Sequence, residues 1–359
     1  MCGYMSLYRY QVEYIWLDAH KNYRSKTRIL SGELPTLRLD KVPLWNYDGS
    51  STGQMLTSNS EVILQPVFIC KDPLMKTIDS SILNYLVLCD TYVPDEMSPT
   101  DSNSRYSANN IFNSKVELKP WFGLEQEYFI TSISSGFPDD SKQNDFYCGI
   151  GYQNLLNGRT LANRHLKACL KAELSISGIN AEVAPGQWEF QIGPVEGIQA
   201  ADQLHIARYM LERIAEKMKL TISFAPKPYR QWNGSGCHTN FSTKETRCDE
   251  GLDKIHEYVR RLSNNHLHHM QNYGDENAER MTGDCETSSF SHFSLGLGAR
   301  DVSVRIGNDT LLNKKGYFED RRPASNCDPY LVTSLIFKTC CLDEIVDNIE
   351  SSPNAPLQI

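Results

Sequence analysis

Two carboxylates stand two positions apart in an apolar, aromatic run of the chain. Residues 121–130 read WFGLEQEYFI, and this wealth of aromatic and branched side chains predicts a strand. Side chains at positions i and i+2 of a strand leave the same face about 7 Å apart, so Glu125 and Glu127 point the same way. Like charges that close raise each other's pKa unless a cation lies between them. The run alone fits either a solvent-facing strand edge or a site that holds a metal ion or a catalytic proton.

The same alternation recurs in three later stretches, which are residues 188–192, 237–242 and 302–306. In each stretch apolar side chains alternate with polar ones, which is typical of a strand with one apolar and one polar face. The polar positions include Glu189, His238 and Arg305, and Glu182 lies just upstream of the first stretch. We therefore predict a curved antiparallel sheet whose concave face is a charged pocket.

Length and composition narrow the class of protein. A chain of 359 residues suits two domains, and 40% hydrophobic with 22% charged residues is ordinary for a soluble globular protein. A net charge of -8 without any Lys/Arg-rich block argues against nucleic-acid binding. No apolar run approaches the roughly 20 residues that span a bilayer, and no signal peptide is recognisable, so we expect a cytoplasmic protein without a membrane anchor. Eleven scattered cysteines without a C-x2-C pair predict reduced thiols.

The first hundred residues predict a β-rich unit. Strand patterns cover residues 10–18, 24–30, 61–69 and 84–93. Residues 45–54, WNYDGSSTGQ, are dominated by turn-forming side chains and predict a loop. Residues 94–110 are polar and rich in turn residues, which makes them the best domain boundary in the chain.

Helical periodicity follows the boundary. It covers residues 158–178, 197–219 and 250–270 and a C-terminal segment that begins at Tyr330. We expect His266, His268 and His269 to be solvated, because their spacing does not place all three on one helical face. Residues 274–290 are polar and loop-like, and they form a candidate lid that holds Arg280 and Glu286.

The polar faces and nearby loops offer the donors of a metal site. They supply Glu125, Glu127, Glu182, Glu189, His238 and Glu319, together with Arg280, Arg300, Arg305 and Arg321. Five carboxylates and one imidazole exceed what a single divalent ion uses, but three and three suit two Mg²⁺ or Mn²⁺ ions. Paired metals beside arginines are what phosphoryl transfer requires. Without a Walker A or G-x-G-x-x-G sequence, the residues predict a metal-dependent enzyme that acts on ATP or another phosphate.

The sequence resembles glutamine synthetases of the eukaryotic type (type II) from about residue 12 to 345. The resemblance is carried, in the family's order, by WNYDGSS, WFGLEQEY, NAEVAPGQWEFQIGP, WNGSGCHTNFSTK and KKGYFEDRRPASNCDP. It implies an α+β fold, with an N-terminal β-grasp domain over residues 9–97 and a catalytic domain over residues 104–359. The catalytic domain would contain a curved antiparallel sheet flanked by helices. It also implies a homo-oligomer, usually a decamer of two pentameric rings, with active sites between subunits.

The resemblance implies the ligation of ammonia to L-glutamate, driven by ATP through γ-glutamyl phosphate. Glu125, His238 and Glu319 would hold the metal ion nearer the nucleotide. Glu127, Glu182 and Glu189 would hold the ion nearer glutamate.

The same resemblance assigns roles to other residues. The catalytic residues would be Asp48, which binds ammonium and removes its proton, Glu286, which closes the site, and Arg300 and Arg321. The ATP-binding residues would be Glu125, Glu189, Pro194, Asn240, Ser242, Arg300, Arg305 and Tyr317. The glutamate-binding residues would be Trp232, Asn233, Gly234, Arg280, Arg300 and Arg321. The loop that holds Asp48 would complete the site of a neighbouring subunit.

Some positions depart from the family pattern. Asn157 stands where the family usually has a tyrosine near the ammonium pocket, and Asp284 and Cys285 replace an aromatic residue and a histidine before Glu286. Two alternatives to a glutamine synthetase therefore stay open. One is a γ-glutamyl ligase that uses another amine, and the other is a non-catalytic relative. Retained carboxylates argue against the second, because clustered unneutralised acids destabilise a fold that binds no metal.

Overall fold

The computed structural model describes residues 7–76, 79–131, 146–150, 158–284 and 286–342. The chain divides into two compact units. The first contains the chain up to Ser107 together with Lys167–Leu174 and His205–Met210, and the second contains the remainder. Asn157 and Cys285, two of the departures from the family pattern, lie outside the described residues.

The first unit is built on a six-stranded mixed sheet. Its strands are β1 (Tyr8–Leu17), β2 (Tyr23–Gly32), β3 (Trp45–Asp48), β4 (Glu61–Lys71), β5 (Ile82–Val93) and β6 (Ser98–Pro99). The strand order is β2-β1-β5-β4-β3, with β6 beside β5. Only the central pair β1 and β5 is parallel, and every other pair is antiparallel. The predicted β-rich beginning of the chain is therefore confirmed, and the strands predicted at 10–18 and 24–30 pair with each other as an antiparallel hairpin.

Alternation along β1 separates two environments. One face carries side chains that are buried in an apolar core with residues of β4 and β5, and these are Tyr10, Val12, Tyr14 and Trp16. The other face carries Glu13, whose carboxylate accepts hydrogen bonds from the Ser25 hydroxyl, at 2.9 Å, and from the Tyr209 hydroxyl. A buried acid is tolerated there because both hydroxyls satisfy it.

The predicted loop over residues 45–54 is only half correct. Its first four residues form β3, which pairs with β4. The chain then turns through a short 3-10 helix over Gly49–Thr52, and the Asp48 side chain accepts a hydrogen bond from the Ser50 amide at its start. The turn-forming residues thus produce a turn only after Asp48, whereas the segment before it, which contains Trp45 and Tyr47, forms a strand.

An eight-stranded sheet forms the centre of the second unit. Its strands are β7 (Trp121–Ile130), β8 (Ile176–Ala181), β9 (Gln187–Glu196), β10 (Ile222–Ser223), β11 (Cys237–Ser242), β12 (Leu295–Leu297), β13 (Val304–Ile306) and β14 (Phe318–Asp320). The order is β12-β13-β14-β11-β7-β9-β8, with β10 beside β7. The predicted curved sheet and the α+β class are confirmed. The sheet is antiparallel except at one edge, where β12 runs parallel to β13.

The described helices are α1 (Ser104–Asn113), α2 (Gly158–Lys171), α3 (Gln199–Lys217), α4 (Gly251–Asn264), α5 (His266–Asn272), α6 (Asn277–Arg280), α7 (Asn308–Asn313) and α8 (Pro329–Cys341). The helix predicted for 158–178 was too long, because its end belongs to β8. The helix predicted for 250–270 divides at Asn265, and the candidate lid over 274–290 contains α6. Among the described residues, no helix is long and apolar enough to cross a bilayer.

Aromatic packing fills the apolar face of the second sheet. Phe122 of β7 lies 5.0 Å from Phe241 of β11, measured between ring centroids, and Phe241 lies 5.6 Å from Phe318 of β14. Phe112 of α1 bridges Phe122 to Phe337 of α8, at 5.8 and 5.4 Å. Because these rings pack against the core on one face of the strands, the alternate side chains all point to the opposite face of the sheet.

The prediction of solvated histidines is wrong for His266 and His269, which are both buried. His269 hydrogen-bonds the hydroxyls of Tyr273 and Thr339, and Tyr273 donates to Asp320 at 2.9 Å. After the helix break at Asn265, His269 reaches Thr339 of α8, and His266 lies against the Phe290 carbonyl and Arg322. Polar partners there replace the water that we expected.

Asp320, the last residue of β14, and Arg322 form a fully buried ion pair. The Arg322 guanidinium donates to both Asp320 oxygens, at 2.8 and 2.6 Å, and lies 3.2 Å from His266 Nδ1. Both side chains are inaccessible to solvent. Removal of one partner would leave the other as an unpaired buried charge.

We predict that Arg322→Ala lowers the free energy of unfolding by about 3–5 kcal/mol, because Asp320 loses its buried counter-charge. Urea unfolding monitored by circular dichroism measures this loss. Lys254→Ala removes a half-exposed ion pair with Glu257 and should cost less than about 1 kcal/mol. Equal losses in the two variants would contradict the importance of the buried pair.

Candidate active site

Cross-strand register brings the polar side chains of several strands onto one face of the second sheet. The facing pairs are His238 with Glu125, Glu125 with Gln191, Glu127 with Glu189, Glu189 with Asn180, and Glu319 with Arg305. Directly opposed side chains lie about 4.5–5.5 Å apart at Cβ. Residues that are far apart in sequence thus become neighbours because the strands pair in this order.

Six side chains on this face form two clusters of metal-ligand type. The first, here the histidine cluster, contains Glu125, His238 and Glu319, and the second, the glutamate cluster, contains Glu127, Glu182 and Glu189. Within each cluster, one ligand atom from every residue lies within 4.8 Å of the others. The grouping is the one that the family resemblance implies.

The glutamate cluster has the chemistry of a cation site. Burial first, and repulsion from Glu182 second, raise the pKa of Glu127 to about 8. Burial also raises the pKa of Glu182 to about 7, and burial with repulsion from Glu125, Glu127 and Glu182 raises that of Glu189 well above its usual range. Two buried carboxylates and a third half-buried one so close together need protons or a cation, and hard oxygen donors suit Mg²⁺ or Mn²⁺.

Neutral amides surround the glutamate cluster. Glu127 accepts hydrogen bonds from Gln187 Nε2 at 3.0 Å and from the Gly236 amide at 2.8 Å. Asn180 Nδ2 donates to Glu182 at 2.8 Å, and Gln191 Nε2 donates to Glu189. These donors satisfy one oxygen of each carboxylate without cancelling its charge.

Cations instead surround part of the histidine cluster. Arg321 donates to one oxygen of Glu319 at 2.7 Å, and Arg305 donates to the other at 3.1 Å. His238 Nδ1 lies 3.5 Å from both Glu125 and Glu319. Burial, followed by the Arg321 charge, lowers the pKa of His238 well below its usual value, so its ring is neutral and can act as a ligand. This cluster therefore carries less net negative charge than the glutamate cluster.

A cavity of about 440 Å³ adjoins the histidine cluster. Five of the predicted ATP-binding residues line it, and these are Glu125, Pro194, Asn240, Ser242 and Tyr317. Asn240 also donates to Glu125 at 2.7 Å. The cavity is thus connected to the cluster through a shared side chain, Glu125.

The predicted arginines lie in different environments. Arg321 is buried, and its Nε donates to the Arg300 carbonyl at 2.9 Å, whereas the Arg300 side chain is exposed. Arg280 is buried rather than on a mobile segment. One of its terminal nitrogens donates to the carbonyls of residues 321–323, at 2.7–3.1 Å, which ties α6 to the chain after β14.

Other predicted site residues differ in exposure. Glu286 is exposed, as a lid residue would be. Trp232 packs in an apolar cluster with Phe129 and Phe146, and its neighbours Asn233 and Gly234 are buried and half-buried. Asp48 belongs to the first unit and is exposed.

Asp48 is a firmly held anion. The hydroxyls of Ser50 and Ser51 donate to its two oxygens at 2.7 and 2.9 Å, and the Ser50 amide donates at 3.0 Å. These hydrogen bonds, led by the Ser50 hydroxyl, lower the Asp48 pKa to about 2. The side chain is therefore ionised at every physiological pH.

Sequence reasoning missed several residues of this face. Trp121 lines the cavity, is 39% exposed, and lies beneath the Arg247 guanidinium at 3.9 Å. The alternation that singled out Glu125 also places Trp121 on the same face, four residues earlier. Gln187 and Gln191 lie two residues before and after Glu189 in β9, so their side chains leave the same face, and the same alternation could have identified them. Arg247 lies outside any strand, so no periodicity indicates it.

Comparison with known proteins gives a consistent result. The sequence model of the glutamine synthetase catalytic domain matches residues 106–268. A glutamine synthetase-like protein of Acanthamoeba polyphaga mimivirus is 51% identical over 336 residues, which cover 92% of this chain and 94% of that protein. The glutamine synthetase cytosolic isozyme 1-3 of Arabidopsis thaliana is 47% identical over 341 residues, which cover 92% of this chain and 94% of that protein. The glutamine synthetase cytosolic isozyme 1-1 of Oryza sativa subsp. japonica is 48% identical over 340 residues, which cover 91% of this chain and 92% of that protein.

The raised pKa values predict that metal-free protein loses stability progressively as pH rises from about 4.5 to about 8. Unfolded glutamates are ionised above about pH 4.5, whereas the folded cluster still holds protons near pH 7 and must release them as pH rises through the Glu127 pKa of about 8. For each proton that the folded state holds and the unfolded state does not, the free energy of unfolding falls by about 1.4 kcal/mol per pH unit. Urea unfolding in a chelator should show the decline, and Mn²⁺ should abolish it.

Glu127→Gln provides the control for this pH dependence. The neutral amide of glutamine keeps the shape of the side chain, but it cannot ionise and so develops no negative charge at high pH. The decline should therefore become shallower in the variant. An unchanged slope would assign the decline to other groups.

Proposed function

The chain belongs to the glutamine synthetase family, and from that premise we propose that its two acidic clusters hold the metal ions of the reaction. The protein is an ATP-dependent glutamate-ammonia ligase, and its substrates are L-glutamate, ATP and ammonium. Members of the family use ATP and divalent metal ions. The proposal is carried by one observation, the gathering of six ligand-type side chains into two clusters of three.

We assign residues 9–97 to a β-grasp domain and residues 104–359 to the catalytic domain. The six-stranded sheet of the first unit supports the first assignment. The family match over residues 106–268 and the acidic face of the second sheet support the second.

Each cluster would hold one Mg²⁺ or Mn²⁺ ion. Bound ions of this kind neutralise carboxylates and polarise phosphate and carboxylate oxygens. The histidine cluster borders the cavity that we assign to ATP, so its ion would lie nearer the nucleotide. The glutamate cluster carries more uncompensated negative charge and should bind its ion more tightly.

We assign the nucleotide to the cavity beside Glu125. Pro194, Asn240, Ser242 and Tyr317 line it. Within the described residues, the buried Nε of Arg305 has no hydrogen-bond partner, which leaves a donor for a phosphate oxygen. Arg300 is exposed and could approach a phosphate without losing a buried contact. Glu189, the remaining predicted ATP residue, lies in the glutamate cluster.

The first chemical step transfers the γ-phosphoryl group of ATP. A γ-carboxylate oxygen of glutamate attacks the γ-phosphorus, the bond to ADP breaks, and γ-glutamyl phosphate forms. Arg300 and Arg305 would stabilise the charge that spreads over the transferred oxygens. Trp232, Asn233, Gly234, Arg280 and Arg321 would orient glutamate. The hydrogen bonds that fix Arg280 and Arg321 hold both guanidinium groups in place before substrate arrives.

In the second step, ammonia attacks the activated carbonyl carbon and phosphate leaves. We assign to Asp48 both the binding of ammonium and the acceptance of the proton that ammonium releases, which then passes to water; its low pKa keeps the side chain ionised for the binding step. Glu286 would close over the acyl phosphate and exclude water, and its exposure leaves it able to move.

We also propose a homo-oligomer, a decamer of two pentameric rings, in which Asp48 completes the site of a neighbouring subunit. A cytoplasmic location is proposed because relatives are named cytosolic isozymes. High similarity to glutamine synthetases over most of the chain does not favour a different amine substrate or loss of activity.

We predict that Glu127→Gln abolishes glutamine formation and removes the tighter of two Mn²⁺-binding steps, because the glutamate cluster loses a ligand charge. Glutamate-dependent ADP release and Mn²⁺ titration measure the two effects. Glu173→Gln, an exposed residue of the first unit that pairs with Lys71, should change neither. Normal activity in Glu127→Gln would refute the metal assignment.

Asp48→Ala is predicted to raise the KM for ammonia at least 10-fold while the KM for ATP changes little, because ammonium loses its counter-charge. Asp48→Ala and Glu127→Gln subunits, unfolded together and refolded as mixed oligomers, should regain part of the activity. Regain requires that one subunit supply Asp48 and another the glutamate cluster. No regain, despite mixed oligomers by light scattering and mass spectrometry, would contradict a shared site.

A further inference from the structure

Two amide side chains connect two carboxylates of the glutamate cluster. Gln191 Nε2 donates one hydrogen bond to Glu189 and another to Asn180 Oδ1, at 2.7 Å. Asn180 Nδ2 then donates to Glu182 at 2.8 Å. The series from Glu189 through Gln191 and Asn180 to Glu182, here the amide relay, spans β9, β8 and the turn after β8.

The relay has a defined direction. Both carboxylates accept, so each must be met by an amide nitrogen. Gln191 uses both hydrogens of one nitrogen, and Asn180 accepts with its oxygen and donates with its nitrogen. Rotation of either amide by half a turn would place an oxygen against a carboxylate or against the other amide oxygen. The two carboxylates therefore fix the orientation of both amides.

The relay is also electrically neutral. Glu319 of the histidine cluster is bound by two guanidinium groups, which compete with a metal ion for the same negative charge. Glu182 and Glu189 are instead held by groups without formal charge. Neutral donors can fix a carboxylate and leave its full charge for a cation.

Gly178 provides the space that the relay occupies. It lies opposite Gln191 across β8 and β9, next to an irregularity in the register of that pair. A Cβ atom at Gly178 would lie 2.5 Å from Gln191 Oε1, which is too close for any real contact. The clash would fall on the free end of a flexible side chain, and not on the backbone. An alanine here should displace the Gln191 amide at little cost to the fold.

We propose that Gln191 and Asn180 are positioning residues that set the separation of the Glu182 and Glu189 carboxylates for a divalent ion, and that Gly178 keeps the relay in place. The inference rests on the proposed metal role of the glutamate cluster. Neither amide is assigned a part in the chemistry. Their effect is exerted through the two carboxylates that they hold.

The test measures Mn²⁺ binding to the full-length protein without nucleotide, by titration calorimetry and by electron paramagnetic resonance of the free ion. The variants are Gly178→Ala, which displaces the relay indirectly, and Gln191→Met, which keeps side-chain length but removes the donor. Gly307→Ala is the matched control, because its added Cβ would meet no atom within 4 Å. Glu189→Gln removes a ligand charge and reports where the tighter ion binds.

Loss of a group that orients a metal ligand typically weakens binding 10- to 100-fold. We expect a loss of about that size in the tighter Mn²⁺ step of Gly178→Ala and Gln191→Met, with the weaker step and the urea midpoint almost unchanged. A purely structural brace would instead shift the urea midpoint or both binding steps. Gly307→Ala should bind Mn²⁺ like the unaltered protein.

The possible failures are distinguishable. If Glu189→Gln weakens the tighter step but Gly178→Ala and Gln191→Met do not, the positioning role is wrong and the metal site stands. If Glu189→Gln has no effect on Mn²⁺ binding, the metal assignment of the cluster is wrong and the positioning role is wrong with it.

Discussion

Repulsion among closely spaced carboxylates, two of them buried and one half-buried, is the constraint on which the second unit depends. Glu127, Glu182 and Glu189 approach within 4.8 Å of one another in a poorly hydrated setting, which raises their pKa values. Such an arrangement persists only if packing elsewhere holds the strands in register. The aromatic side chains on the opposite face of the sheet supply that packing. Burial of this apolar face offsets the free-energy cost of bringing the carboxylates together.

The negative charge of the carboxylates is balanced differently in the two clusters. Arginines balance the histidine cluster directly, through Glu319. Amides hold the glutamate cluster and leave its charge for an ion. Under the proposed function, this difference would let one ion stay with the protein while the other accompanies a charged substrate.

Much of the fold could be predicted from alternation and turn chemistry. The strands around Glu125, Glu189, His238 and Arg305 are all present and belong to one sheet. Predictions failed where tertiary contacts outweighed local pattern. Residues 176–181 pair with β9 instead of extending α2, and His266 and His269 find buried partners that no spacing in the sequence reveals.

The sequence by itself determined which residue types face each side of every strand, because side-chain direction alternates with period two and needs no tertiary information. It also determined, through motif resemblance, the family and its reaction. Only the tertiary structure decided which acids become neighbours, since strand order and register join Glu125 to His238 and Glu127 to Glu189 across more than 60 intervening positions. It alone placed Arg247 against Trp121 and aligned the amide relay, because contacts between distant segments leave no periodic signal in the chain.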